Sequence, residues 1–441
     1  MNLDLSKINT SKILSARKVY FIGIGGIGIS ALAKLAKSRG MEVSGVNDEE
    51  GKTIDSLKEA GIKVTPREEF FESAPSETKG QGITILKIPH GMFLDADLYV
   101  YSDAWLNRGP EILEQAQKTG KPVLSYAEAL GEFAKGYKVI AISGTHGKTT
   151  TTAMVADILI DAGFDPTVIV GSFVKKFGSN FKFGKSEYLV VEADEYNRHM
   201  LQLHPYIGAI TNMEADHLDC YKDLADIKVA FDQFLMQSEN KISNYEKYLE
   251  KVPKLLIPGE HNRKNAALAL AIAEILGINE KIAQKSLENF QGTWRRLEKR
   301  GMTEAGTIVY DDYAHHPTEV QASILGLREL YPAEAKKITI VFQPHLYSRT
   351  KALFDDFAKC FHGADQIILL PIYFAREDLD PSISSGKLAE AICQNGEKAI
   401  AFTDFELTEE YLKGQTFGKD DVFVTMGAGE AYKVADKVFK F

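Results

Sequence analysis

Lys148 and Thr149 close the run GTHGKT, which lies between the apolar, β-branched stretch KVIAIS and the helically spaced apolar residues of AMVADILI. A strand, a glycine loop and a helix in that order make a phosphate grip. Backbone N–H groups and the helix dipole favour an anion at the helix start, and the lysine adds a mobile positive charge. The Thr149 hydroxyl suits a magnesium ion. Four successive threonines, Thr149 to Thr152, are mediocre helix formers, so their merit in a first turn is chemical. The spacing is shorter than the common nucleotide loop GxxxxGK[ST], which needs a glycine where Ile142 stands; the first glycine is Gly144.

Two acidic clusters follow. Glu192, Asp194 and Glu195 come after LVV, and Glu214, Asp216, His217 and Asp219 after IGAITNM. One such carboxylate reads as a solvated loop, but two clusters at strand ends downstream of a phosphate loop read as magnesium ligands, since that ion prefers oxygen donors. Nearer the C-terminus, His315 and His316 in DDYAHHP, and His345 with Arg349 in FQPHLYSRT, each follow an apolar strand. They are either polar turns or a substrate site, with Arg349 suited to a carboxylate or phosphate. Arg295 and Arg296 fall at a domain boundary, as solvated surface or as groups able to reach nucleotide phosphates.

The elements that must position these residues alternate strand and helix. KVYFIGIGGIGISALAKLAKSRG opens the chain as strand, glycine turn and helix, with Gly23, Gly25 and Gly28 fitting GxGxxG. The next strand ends at Asn47 and Asp48, about 20 residues on, where a dinucleotide fold places its ribose-binding acid. Alternation continues through ADLYVYSDA and KPVLSY to about residue 125, with Pro66 to Gln81 read as a loop. PTVIVG, EYLVVEAD and YIGAITNM are the strands after the phosphate loop; LADIKVAFDQFLMQ, KNAALALAIAEILGI and EKIAQKSLENF are helices. From about residue 294 the strands TIVYDD, KITIVF, QIILL and DVFVTM make a separate α/β domain. The expectation is an α/β chain of three domains, at 1–136, 137–293 and 294–441: Rossmann-like, P-loop ATPase-like and Rossmann-like.

Composition limits the alternatives. A chain of 441 residues with 44% hydrophobic and 26% charged residues is an ordinary globular protein too long for one core. The formal charge of −9 argues against non-specific nucleic-acid binding. Cys220, Cys360 and Cys393 show neither CxxC spacing nor an even number, so no disulfide framework or zinc site is expected. With no apolar leader in MNLDLSKINTSK and no span-length apolar run, a cytoplasmic protein without membrane contact is expected.

Taken in order, FIGIGGIGIS, SGTHGKTTTT, EADE, TNMEADHLDCY, GEHNRKNA, WRRLE, DDYAHHPTE and FQPHLYSRT resemble the motifs of the Mur ligases over nearly the whole chain. The likeness is greatest to the branch that joins L-alanine to UDP-N-acetylmuramate with ATP, through an acyl phosphate, in peptidoglycan synthesis. It implies that the GxGxxG domain cradles UDP, not NAD, with Gly23, Gly25, Gly26, Ile27, Gly28, Asp48 and Ser102 at the sugar nucleotide. It places ATP against Gly144, Thr145, His146, Gly147, Lys148, Thr149 and Thr150, with His261, Asn262 and Asn265 on the adenine side. Arg296 and Asp312 then meet phosphate and ribose, which implies domain closure. Lys148, Glu192 and His217 become the catalytic residues, and Thr149, Glu192 and His217 the Mg2+ ligands. His315, His316, His345 and Arg349 fall near the incoming amino acid and the acyl group. The implied partners are small-molecule substrates, in a monomer or homodimer.

Three departures bear on this. Tyr196 in EADEYNR is shared with the related ligase that attaches a preformed peptide, Leu346 stands where an arginine is frequent, and residues 234–259 are much shorter than the family's accessory sheet region. The alternatives are therefore a peptide-adding ligase on the same sugar nucleotide, an NAD-dependent oxidoreductase built on Gly23 to Asp48, and a nucleotide-binding regulator without catalysis. The oxidoreductase leaves GTHGKTTTT and both acidic clusters unexplained. Intact Lys148, Glu192 and His217 speak against the regulator.

Overall fold

Along the first strand, β1 (Lys18–Ile22), Val19 and Phe21 enter one apolar cluster while Tyr20 and Ile22 enter another. A strand buried on both faces belongs inside a parallel sheet covered by helices on each side. In the computed structural model, which describes residues 15–74, 83–86, 93–215, 217, 220–374 and 377–440, that arrangement occurs three times. The first sheet runs β3-β2-β1-β6-β7, with β2 (Glu42–Asn47), β3 (Lys63–Pro66), β6 (Leu98–Tyr101) and β7 (Val123–Ser125), all parallel. Between β3 and β6 the expected loop instead holds a 3-10 turn, Arg67–Phe70, and β4 (Phe71–Ala74), which pairs antiparallel with β5 (Ile83–Leu86). The remainder of that loop prediction, and the N-terminal MNLDLSKINTSK, lie outside the described residues.

The second sheet runs β10-β9-β11-β8-β12-β13. Its strands are β8 (Lys138–Ser143), β9 (Thr167–Val174), β10 (Ser179–Lys182), β11 (Tyr188–Glu192), β12 (Ile207–Ile210) and β13 (Asn240–Ile242), and only the β9–β10 pair is antiparallel. Both sheets belong to one compact unit, which runs to Pro253 and takes up Asn265–Leu287. They share a core: Phe21, Leu32 and Leu35 join one buried cluster with Ala141, Leu189 and Val191.

The link between these two sheets is polar as well as apolar. Asn180 on β10 is fully buried, and its amide donates to the Ile27 carbonyl (2.6 Å) and the Ser30 hydroxyl (2.9 Å) on the helix Ile27–Ser38. Its carbonyl accepts from the Lys34 ammonium at 2.9 Å, which also donates to Ser56 (2.6 Å). Burial pushes this lysine down to about 8, with Glu59 countering only part of the shift. Between pH 8 and its ordinary 10.5 the folded chain has released a proton that the unfolded chain keeps, so stability from this site rises with pH across that window and is flat below it. Wild type should therefore gain about 1–3 kcal/mol relative to Lys34→Met between those pH values, by urea unfolding of both proteins. A parallel response of the two would contradict the assignment.

The second unit comprises Lys254–Lys264 and Glu288–Phe441. Its sheet runs β14-β15-β19-β16-β17-β18, with β14 (Glu298–Met302) antiparallel to β15 (Ile308–Asp312) and the rest parallel: β16 (Lys337–Phe342), β17 (Gln366–Leu369), β18 (Ala399–Ala401) and β19 (Asp421–Met426). Val422, Val424 and Met426 enter one cluster and Phe423 the other, the same two-faced burial as in β1. No described helix is long and apolar enough to cross a membrane.

Candidate active site

Because β11, β8 and β12 are parallel neighbours, their carboxyl ends open on one edge, where ligands of open α/β sheets collect. The loop Gly144–Gly147 leaves β8 there and enters the helix Lys148–Asp161. Gly144 (φ 128°) lies so close to the next strand end that a Cβ would sit 2.1 Å from Thr211 Oγ1; at Gly147 (φ 82°) one would sit 2.3 Å from Asn265 Oδ1. Only glycine fits both the dihedrals and the space. The TNME segment stitches the loop down: the Asn212 carbonyl accepts from Thr145 N–H, the Asn212 side chain bonds both the N–H and the C=O of His146, and Thr211 Oγ1 donates to the His146 carbonyl. The His146 ring stands 3.5 Å from Glu214.

Lys148 is held at the mouth of this loop. Its ammonium donates to the Gly144 and Thr145 carbonyls (2.7 and 3.0 Å) and to Glu195 Oε1 (2.8 Å), and it pairs with Glu195 Oε2 at 2.7 Å; this carboxylate is nearly closed to solvent. Burial opposes the lysine's charge, but Glu195, Asp194 and Glu192 outweigh it and hold the group above its ordinary value. Thr149 Oγ1 donates to Glu192 Oε1 at 3.0 Å, while Glu192 Oε2 accepts from Gly171 N–H. This pair of hard oxygen donors beside a phosphate loop fits a magnesium ion. Sequence reading placed Glu195 in the acidic cluster but missed its role as the lysine's counter-ion, and it gave Thr211 and Asn212 no role beyond their place in TNMEADHLDCY. The His217 Nε2 lies 3.4 Å from Glu195 Oε1, its ring edge-on to Tyr196, with φ 54°. Asp216 and Asp219 lie outside the described residues.

Beyond Glu195 the chain turns through two left-handed residues, Asn197 (φ 48°) and Arg198 (φ 59°). Arg198 is held there by Asp226 (2.6 Å) and by the face of Tyr221. The turn delivers His199 to Asp103 (2.7 Å) and Asp194 (3.7 Å). Burial disfavours an imidazolium, but the two carboxylates overcome it and push His199 up to about 9.

In the first sheet the strand order switches sides between β1 and β6, which stay parallel, and the glycine turn and Ser102 meet at that switch point. A Cβ on Gly23 would meet Trp105 at 2.3 Å, one on Gly25 the Asn47 side chain at 2.5 Å, and one on Gly28 the Tyr126 hydroxyl at 2.8 Å. Gly26 is the N-cap of the helix that starts at Ile27, and a helix N-terminus favours an anion. Asn47 Oδ1 accepts from Gly25 N–H, while Asp48 lies 3.6 Å from Arg108. The strand-end residue that reaches the glycine turn is thus Asn47, one position before the acid singled out from spacing.

In the second unit, His315, His345 and Arg349 come together. The two rings meet edge-on at 5.8 Å, Arg349 Nη1 is 3.1 Å from His345 Nδ1, and His345 stacks on Tyr373. Burial pushes His315 down to about 4, so it is neutral. His316 instead caps the helix Pro317–Leu330, its Nδ1 accepting from Thr318 N–H. Arg296 lies over the Tyr313 ring, and burial raises the nearby Asp312 to about 6 while Ser323 donates to it. His261 packs on Gly259 and is pushed down to about 4 by burial, and the Asn262 amide donates to the Pro258 carbonyl.

Profiles of three domains match in series: the Mur ligase family catalytic domain at 18–138, the Mur ligase middle domain at 142–252, and the Mur ligase glutamate ligase domain at 295–429. The chain belongs to the Mur ligase family. Among its relatives is the UDP-N-acetylmuramate--L-alanine ligase of Caldanaerobacter subterraneus subsp. tengcongensis, 36% identical over 489 aligned positions that cover 99% of this chain and 98% of that one. The namesake from Clostridium acetobutylicum is also 36% identical, covering 96% and 97%. The crystal structure of the UDP-N-acetylmuramate-alanine ligase of Thermotoga maritima superposes with a TM-score of 0.75 at 26% identity, covering 96% and 98%. A murein peptide ligase from Psychrobacter arcticus shares the fold, with a TM-score of 0.64 at 21% identity over 96% and 98%. This Mur ligase has the family's three α/β domains. Residues 234–259 hold only the end of a helix, the three-residue β13, a 3-10 turn and irregular chain.

Proposed function

We infer that the chain joins L-alanine to UDP-N-acetylmuramate with cleavage of ATP to ADP and phosphate, a step of peptidoglycan precursor synthesis. The observation that carries this reading is 36% identity sustained over 99% of the chain with a curated L-alanine ligase. One oxygen of the muramoyl carboxylate bonds to the γ-phosphorus as the bond to the ADP oxygen breaks. The alanine nitrogen then bonds to the acyl carbon, phosphate leaves with the electron pair of the C–O bond, and the nitrogen gives up a proton. Two anions must meet in the first step, so positioning and charge neutralisation dominate. Lys148 supplies a fixed positive charge at the phosphate loop, and Gly144 to Gly147 give backbone donors. Thr149 and Glu192, with His217 for a second ion, would hold magnesium, which supplies further neutralising charge to the phosphate oxygens when bound. His315, neutral beside His345 and Arg349, is suited to the amino-acid and acyl groups. A soluble cytoplasmic enzyme fits these substrates.

Phosphate release from ATP, measured with UDP-N-acetylmuramate and L-alanine, L-serine, glycine or the L-alanyl-γ-D-glutamyl-diaminopimelate peptide in turn, tests the reading. Release strongest with L-alanine is expected; release only with the peptide would favour the peptide-adding reading that Tyr196 leaves open. The two glycine loops can be separated in the same way. Gly147→Ala forces a left-handed φ and a clash with Asn265, and should weaken binding of a fluorescent ATP analogue about tenfold with little effect on the sugar nucleotide. Gly25→Ala should do the converse. Equal loss of both ligands in either variant would contradict two separate cradles.

A further inference from the structure

Asp103 sits in the wall of the first glycine cradle. The residue before it, Ser102, donates its N–H to the Ile22 carbonyl at the end of β1, and two residues on the Trp105 indole lies over Gly23. His199 sits on the other loop, seven residues after Glu192 and four after Glu195. Its Nε2 is 2.7 Å from Asp103 and its Nδ1 is 3.7 Å from Asp194, and the ring is largely shielded from water. Both loops belong to the same compact unit. A single imidazole therefore joins the wall of the sugar-nucleotide cradle to the loop that carries Glu192 and the counter-ion of Lys148.

The backbone around His199 is built to hold that place. Two successive non-glycine residues in the left-handed region cost energy and persist only when their surroundings fix them. Here Arg198 N–H bonds the Glu195 carbonyl (3.0 Å), Met200 N–H bonds the Asp194 carbonyl (2.8 Å), and Asp226 anchors the Arg198 side chain. The helix Tyr126–Ala134 presses on the same turn, since a Cβ on Gly131 would lie 2.5 Å from the Gln202 carbonyl oxygen; at its other end Tyr126 abuts Gly28 of the cradle. Strain of this kind, held by four independent contacts, serves to aim one side chain.

We propose that His199 is a positioning residue that couples the two cradles, tying Asp103 of the sugar-nucleotide wall to Asp194 of the ATP-side loop so that filling one site orders the other. It touches neither substrate in this role, and the proposal rests on the reading that the first cradle takes UDP-N-acetylmuramate and the second ATP. Coupling of this type changes the affinity for one ligand by about 5–150-fold when the other is bound.

The test measures UDP-N-acetylmuramate binding by calorimetry with and without a non-hydrolysable ATP analogue and magnesium, in wild type, His199→Gln, Asp103→Asn and the double variant. The expected result is a gain of about tenfold from the analogue in wild type, shrinking to within about twofold of unity in each single variant, with the double variant no worse than either. Asp103→Ser leaves His199 and its turn in place and carries the test should His199→Gln not fold. A role limited to stability would lower the thermal midpoint and leave the gain intact, which would overturn the proposal, as would a wild type with no gain. A wild type that fails to bind UDP-N-acetylmuramate at all would instead sink the reading of the first cradle.

Discussion

Lys148→Ala is expected to lower kcat by about 10²–10³-fold or more while UDP-N-acetylmuramate affinity stays within about twofold of wild type. The first half follows from what the side chain offers: a cation at the start of the helix Lys148–Asp161, where negative charge gathers as two anions are brought together. The second half follows from placement, since the GxGxxG cradle is on the first sheet and the lysine on the second. One complication must be separated out. Removing the ammonium strands Glu195, whose side chain is only 4% exposed, and breaking such a pair costs about 3–5 kcal/mol. The companion variant Lys148→Ala with Glu195→Gln should therefore regain much of the thermal stability and none of the turnover. Recovery of turnover along with stability would show that the lysine acts through folding alone. Steady-state phosphate release, sugar-nucleotide calorimetry and thermal unfolding together make the distinction.

How much of this was legible in the sequence depends on how local each feature is. The phosphate loop is a strand, two glycines and a helix within about 25 residues, and its identity follows from residue order alone. So do the buried strands, whose apolar runs are long enough to need cover on both faces. The short edge strands β10, β13, β14 and β18 were missed, because SNFK, NKI, EKRGM and AIA carry no run or clean alternation, and what makes them strands is the neighbour they pair with. Adjacent pairs of like residues were harder still. In Asn47-Asp48 the first residue reaches the glycine turn; in His315-His316 the first ring joins His345 and the second caps a helix. Which member faces inward is set by the phase of the backbone as it leaves the strand, and residue type does not encode that phase. Contacts distant in sequence, such as His199 with Asp103 and Lys34 with Asn180, left no sequence signal because each partner alone looks like ordinary surface.

Arg295→Met should destabilise the C-terminal unit by about 3–5 kcal/mol. Arg295 adopts φ 55°, which turns its side chain into the sheet edge, where the guanidinium donates to Asp311 (2.8 Å) and to the carbonyls of Gly427 (2.5 Å) and Gly429 (3.1 Å). It also lies over the Tyr432 ring, and only 5% of its side chain is exposed. Arg296 lies over the Tyr313 ring, and its charge acts on Asp312. The loss at Arg295 should depend on pH. Burial already raises the Asp311 carboxyl above its ordinary value, against the pull of Arg295 and Thr425, and without the guanidinium it rises further. A carboxyl whose folded pKa exceeds its unfolded one binds a proton on folding, so stability falls as pH climbs through the interval between the two. Arg295→Met should thus be less destabilised at pH 5 than at pH 8, and Asp311→Asn added to it should flatten that difference. Denaturant unfolding at the two pH values measures both. Equal destabilisation at each pH would mean that the arginine serves through its packing on Tyr432 and its carbonyl bonds, not as the counter-ion of Asp311.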